Sequence, residues 1–317
     1  MKGCRNMPKK RYRIRNWREY NHALKNRYRI TTLISEDIYS QWYAEPSGAR
    51  GAPRHYGDIA ITFALTLRTL FNLPLRGCEG LVTSILELLK LELDAPDYST
   101  LSRRGNTLDV KLPHYKRKEN IWMVVDSSGL KIYGEGEWKV RMHGIGKRRT
   151  WRKLHIAVNA DSGEIEAGVL TTADVHDSEV LDDLLSGKEG QVEAVAAGGA
   201  YDTRDGYQSI SRIGAKAVIP PRRGARIWEH GNGPGPPVQR DENLRYIRKH
   251  GRKKWKEESG YHRRSLAETG IFRIKTIFTD KLRSRTFDNQ ATEAFLRLSL
   301  LNRMTALGMP ESYPVAA

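Results

Sequence analysis

Asp126 closes an uninterrupted apolar run, Ile121 to Val125, of the kind that a strand buried on both faces requires. A carboxylate at a strand tip can hold a hard cation. It can equally serve as a turn or cap residue, a place Asp favours for its local hydrogen bonding. Further along, Tyr261, Arg264, Glu268 and Lys275 stand at offsets of 0, 3, 7 and 14. On a continuous helix these offsets fall within about 60° of one another, so one stripe carries a phenol, a guanidinium, a carboxylate and an ammonium. That set suits phosphodiester chemistry, with Glu268 ligating a metal while Arg264 and Lys275 neutralise phosphates beside it. The competing reading is a solvated face laced with i to i+4 charge pairs. Between the two lies "VEAVAAGGAYDTRDG", residues 192–206, which reads as a buried strand broken at Gly198 and Gly199. Chemistry in α/β folds gathers at strand tips, and here glycines occupy the tip. Asp202, four residues on, reads as the N-cap of the next helix, and Asp174 and Asp177 read as caps or loop acids.

These groups need a sheet and a helix to bring them together. "IWMVVDSSGLKIYGEGEW" predicts a strand ending at Asp126 and a second short strand from Leu130 to Tyr133, and "RKLHIAVNADSGEIEAGVLTT" predicts two more around the Asp161-Ser162-Gly163 turn. "DSEVLDDLL" is helical, "QVEAVAA" a strand, "TRDGYQSISRIG" a helix closed by Gly214, and "AKAVIPP" a strand stopped by proline. Three or four antiparallel-type strands followed by helix, strand, helix, strand fit an α/β fold with a ribonuclease-H-like mixed sheet. Pro220 to Pro237 reads as a loop or insertion, and the chain beyond it is helical again, closing with "NQATEAFLRLSLLNRMTALG" and Gly308 as its stop.

Ahead of the sheet, "YGDIAITFALTLRTLFNLPLRGCEGLVTSILELLKLEL" carries two apolar helical runs around the breaker "NLPLRG". "PDYSTLSRR" adds a third, with Ser99 as N-cap and Arg103 and Arg104 in the following turn. A helix-turn-helix module gives this pattern, and so does any small helical bundle. The expected divisions are a basic arm over 1–50, a helical, DNA-binding region over 51–115, the sheet domain over 116–310 with a Gly/Pro/Arg-rich insertion around 220–260, and a tail over 311–317.

Composition sets the partner. The chain has 317 residues, with 54 Lys and Arg against 37 Asp and Glu and a formal charge of +17, which points to a polyanion, most simply nucleic acid. No apolar run approaches the about 20 residues of a spanning helix, and no signal peptide opens the chain, so a soluble cytoplasmic protein is expected. Cys4 and Cys78 stand far apart with no histidine spacing around them, which supports neither a disulfide framework nor a zinc site. The basic words "GIGKRRTWRK", with Lys147, Arg148, Arg149, Arg152 and Lys153, and "HGRKKWK" are expected to track phosphates. Trp151, Trp228 and Trp255 are either base-stacking platforms or core residues.

The spacing Tyr-x2-Arg-x3-Glu-x6-Lys in "YHRRSLAETGIFRIK" resembles the Y-R-E-K signature of bacterial insertion-sequence DDE transposases. The words "VVDSSGLKIYGEGEWKVR", "KRRTWRKLH", "GAYDT" and "LNRMTALGMP" resemble the insertion-sequence five family of that group, from about Asn16 to Pro310. The resemblance implies a ribonuclease-H-like catalytic domain with two acidic residues on adjacent strand tips and a glutamate on a later helix. Carried over, Asp126 matches the first aspartate and Glu268 the glutamate, both as Mg²⁺ ligands with Mn²⁺ as substitute, while Tyr261, Arg264 and Lys275 position DNA phosphate. Gly198 occupies the place of the second aspartate, in a word the family writes "ADGAYDT". The implied activity is cleavage at terminal inverted repeats and strand transfer to target DNA, impaired here by Gly198. The alternative is a catalytically silent, DNA-binding derivative that represses active copies. The resemblance also implies self-association on paired DNA ends and a place at the bacterial nucleoid.

Overall fold

The apolar run at Ile121–Val125 forms a central strand, and that strand does not stop at Asp126. In this computed structural model, which describes residues 11–33, 38–45, 48, 53–115, 120–132, 151–229 and 238–315, strand β2 runs unbroken over Ile121–Ile132. The expected second strand from Leu130 is therefore its far half. The reason is pairing: β3 (Trp151–Asn159) lies antiparallel along β2 from Met123 to Lys131 and supports both halves. On the other side the support is split. Strand β5 (Val192–Ala197) runs parallel to β2 only as far as Val125 opposite Ala197, and the two-residue β7 (Lys281–Leu282) pairs with Lys131 and Ile132. Asp126 thus stands at the fork where β5 ends, one residue past the last β2–β5 pair.

With β4 (Ile165–Thr172) beyond β3 and β6 (Lys216–Val218) beyond β5, the mixed sheet has the order β4-β3-β2-β5-β6, with β7 on the end of β2. This is the mixed α/β arrangement expected from the order of elements, and both faces are covered. Side chains on β2 alternate between them. Met123 and Val125 face a core shared with α5 (Leu181–Leu185) and α6 (Arg204–Arg212). Val124 and Leu130 face a second core, closed by α9 (Ser265–Phe278) and α10 (Phe287–Leu307) through Ala267, Ile274, Phe278 and Leu298. Asp126 and Ser128 share the parity of this second face.

Helix α10 is the central tie. The Asn302 side chain accepts from the Ile165 backbone N–H at 2.7 Å and donates to its carbonyl at 2.8 Å, pinning the edge strand β4. Leu296 enters a third core formed by α2 (Asp58–Leu70), α3 (Leu75–Leu88) and α4 (Tyr98–Gly105), and Thr292 donates to the Gly105 carbonyl at 2.6 Å. The cap of α4 is Asp97, which accepts from the backbone N–H groups of Ser99 and Thr100; Ser99 is inside the first turn and not the cap expected for it. Among the described residues no single helix is long and apolar enough to cross a membrane, and the apolar pair α2–α3 is bent by 114°.

Several short elements carry no apolar signature in the sequence. Within the basic arm, β1 (Arg11–Ile14) pairs antiparallel with β8 (Ser312–Val315), and α1 (Trp17–Asn26) follows with Ala23 buried. The very basic segment after the proline-rich stretch is two helices, α7 (Gln239–His250) and α8 (Arg252–Glu258), parted at Gly251, whose φ of 86° no ordinary side chain favours.

Candidate active site

Tyr261 and Arg264 belong to a short 3₁₀ turn, Tyr261–Arg264, that feeds α9 at Ser265, so the stripe expected on one helix is divided. Side chains three apart eclipse on a 3₁₀ turn, which keeps Tyr261 and Arg264 on one side. Glu268 lies in the first turn of α9, and Lys275, two turns later, in its last. The helix packs on the second face of β2, where Arg264 and Lys275 meet their partners.

Arg264 is the junction. Its Nη1 is 3.3 Å from Asp126 Oδ2, and its Nη2 donates to Glu268 Oε1. Lys275 Nζ donates to Ser128 Oγ at 2.6 Å, two residues beyond Asp126 on the same face of β2. Sequence spacing did not single out Ser128, although a period of 2 from Asp126 marks it. Burial raises the Asp126 carboxyl above its ordinary value, with the Arg264 guanidinium opposing and the Glu268 charge adding to the rise. Burial likewise raises the Tyr261 phenol, whose ring lies 5.8 Å from that of Trp255.

Gly198 follows directly on the end of β5, beside Asp126. Its φ of −71° and ψ of 170° are ordinary extended values, so no backbone constraint demands glycine. A β-carbon built there meets only the Arg264 Nη1, at 3.5 Å, an ordinary contact distance. The position opens onto the same guanidinium that joins the two carboxylates.

Asp202 is not the N-cap of the helix that follows it. Thr203 caps α6, accepting from the Gly206 N–H, while the Asp202 carboxylate is buried. Its Oδ1 accepts from Arg240 Nε at 2.6 Å and its Oδ2 from the Arg222 backbone N–H at 2.8 Å. Asp177 is not a cap either: His176 caps that turn, and Asp177 lies on the first face, 2.9 Å from Lys153 Nζ and 3.0 Å from Ser127 Oγ. Asp174 is exposed and held low by the Thr172 hydroxyl.

Of the basic residues expected at phosphates, Lys147, Arg148 and Arg149 lie outside the described residues. Arg152 and Lys153 are on β3. Arg152 Nε donates to Gln290 Oε1 at 2.8 Å, and Lys153 also reaches the Val175 carbonyl. Trp255 is 3% exposed and donates its indole N–H to Asn243, so packing accounts for it. Trp228 is covered by the Arg240 guanidinium at 3.8 Å from its ring, and Trp151 is half-buried with Lys131 nearby.

A pair of divalent cations needs several anionic oxygens held in common. Asp126 and Glu268 are both engaged by Arg264, and among the described residues no three His, Cys, Asp or Glu side chains stand together as a metal cluster. The donor set formed by Asp126 and Glu268 does not fit such a pair.

A family model described as a transposase DDE domain matches residues 120–303, more than half of the chain, and a second model of the same description matches residues 25–135.

Proposed function

The chain belongs to the transposase DDE-domain family, and from that premise we propose that it binds the terminal inverted repeats of an insertion sequence but cleaves and joins DNA strands poorly as it stands. One observation carries this reading. The guanidinium of Arg264 joins Asp126 to Glu268, and Gly198 offers no side chain at a neighbouring backbone position that opens onto this junction. In the proposal Asp126 and Glu268 are what remains of the acidic triad, Gly198 stands for its lost second aspartate, and Arg264, Lys275 and Tyr261 position phosphate. Asp202 is no replacement, because both its oxygens are committed to Arg240 and Arg222. Loss of a metal-binding side chain should cost more than the about 10- to 100-fold typical of groups that only orient ligands.

DNA binding itself rests on the charge of +17 and does not need the triad. Assembly on paired ends belongs to the same proposal. The test is a titration of labelled duplexes carrying the element's ends, with binding and strand cleavage scored separately in Mg²⁺. The expected result is tight binding that falls by about 0.9 log units per phosphate contact per log unit of salt, with almost no cleavage. A salt-insensitive affinity refutes the DNA-binding part, and rapid cleavage refutes the impairment.

A further inference from the structure

Segments near the two ends of the chain meet in a ribbon that no other strand among the described residues joins. Strand β1 pairs antiparallel with β8 in the register Arg11 opposite Val315, Tyr12 opposite Pro314, Arg13 opposite Tyr313 and Ile14 opposite Ser312. The base of the ribbon is clasped to the end of α10: Asn16 Nδ2 donates to the Met309 carbonyl at 3.0 Å, Asn16 Oδ1 accepts from Glu311 N–H at 2.8 Å, and Arg27 donates to the Gly308 carbonyl at 3.0 Å. An isolated two-stranded ribbon is marginal in water, so these ties matter for its direction. Alternation puts Arg11 and Arg13 on one face with Tyr313 and Val315. Arg15 joins that face, its guanidinium 5.9 Å from the Tyr313 ring. Residues 11–15 and 311–315 hold three arginines and a single carboxylate, Glu311, and Tyr12 and Tyr313 are exposed.

We propose that this ribbon is a DNA-contacting element, laying its Arg11, Arg13, Arg15 and Tyr313 face against duplex phosphates with the ribbon seated in a groove. The inference rests on the reading that the chain acts on DNA, and it adds a surface made jointly by the arm and the C-terminal tail. A major groove admits a two-stranded ribbon, and the charge is complementary. Addition of a strand from a second copy is opposed by the charged edge and by Pro314, which has no N–H to donate.

The C-terminal strand supplies a discriminating test, because residues 312–317 carry no charged side chain. Three proteins are compared by anisotropy on a short labelled mixed-sequence duplex across a salt series: the full chain, a triple Arg11→Gln, Arg13→Gln, Arg15→Gln variant, and a chain ending at Glu311. Thermal melts check that the core is intact. The triple variant should lose about 0.9 in salt slope for each arginine removed, and the truncated chain about half of that loss or more although it removes no charge. If the truncated chain keeps the full slope while the triple variant loses it, the arginines act as a loose arm and the ribbon proposal falls. If the full chain binds with a steep slope and both variants match it, this face does not touch DNA. If the full chain shows no salt-dependent affinity, the DNA reading falls and the ribbon proposal with it.

Discussion

Replacing Asp202 by alanine separates a structural carboxylate from a metal-binding one. Asp202 and Arg240 are both buried, at 7% and 4% exposure, and the Oδ1 to Nε distance is 2.6 Å. Removing the carboxylate leaves the Arg240 guanidinium between the Trp228 ring at 3.8 Å, the Arg226 carbonyl at 2.8 Å and a longer approach to Asp241 at 3.5 Å. It also leaves the Arg222 backbone N–H without its acceptor. Breaking a buried pair from one side costs about 3–5 kcal/mol. For a domain of this size that is a fall in melting temperature of about 6–20 °C at about 2–4 °C per kcal/mol. The assay is urea unfolding followed by tryptophan fluorescence, to which Trp228 contributes from beside Arg240. Replacing both partners at once, Asp202→Leu with Arg240→Met, should recover part of the loss, because the unpaired guanidinium is then gone while the Arg222 N–H still lacks its acceptor. A loss below about 1 kcal/mol for Asp202→Ala would refute the reasoning. It would mean that the carboxylate is free to serve elsewhere, the site of a metal included.

Three further outcomes follow from local geometry. His155 is fully buried, and burial lowers its pKa from the ordinary 6.5 to about 4, with Asp177 opposing. The folded state resists the proton, so the associated stability is complete above about 6.5 and is lost as pH falls toward about 4. Melting curves of His155→Gln should be flatter than those of the parent across that window, and parallel curves would contradict the assignment. Gly168→Ala should destabilise by about 1–3 kcal/mol, read by urea midpoint, because its β-carbon would come within 2.3 Å of Leu298 Cδ1. Thr203→Ala should cost about 1 kcal/mol through the lost cap on α6, while Thr203→Ser should cost much less.

Much of the sheet was legible because its signals are local. The apolar run before Asp126, the Asp161-Ser162-Gly163 turn and the alternation of helix and strand after it fix a mixed sheet without reference to distant residues. The length of β2 was not legible, because Ser127, Ser128 and Gly129 look like a turn until β3 is laid beside them. Strand β1 was hidden for the same reason: its partner is about 300 residues away, near the other end of the chain. In the site, periodicity marked Arg264, Glu268 and Lys275, while what each one touches depends on how α9 sits on β2. The preference of Asp for caps and turns makes Asp202 look like an N-cap and Asp177 like a cap or loop acid. Arg240 and Lys153, which engage them, come from segments whose charge pattern says nothing of partners.

The most direct test of the central claim is the strand-cleavage rate of Gly198→Asp against the parent chain, on a duplex carrying the cognate end in Mg²⁺, with binding measured alongside. The extended backbone and the open contact to Arg264 at 3.5 Å leave room for the new carboxylate beside Asp126 and Glu268. The account predicts equal binding and a gain in cleavage exceeding about 100-fold. Cleavage by the parent at the same rate would contradict it, and would place the working carboxylate somewhere other than residue 198.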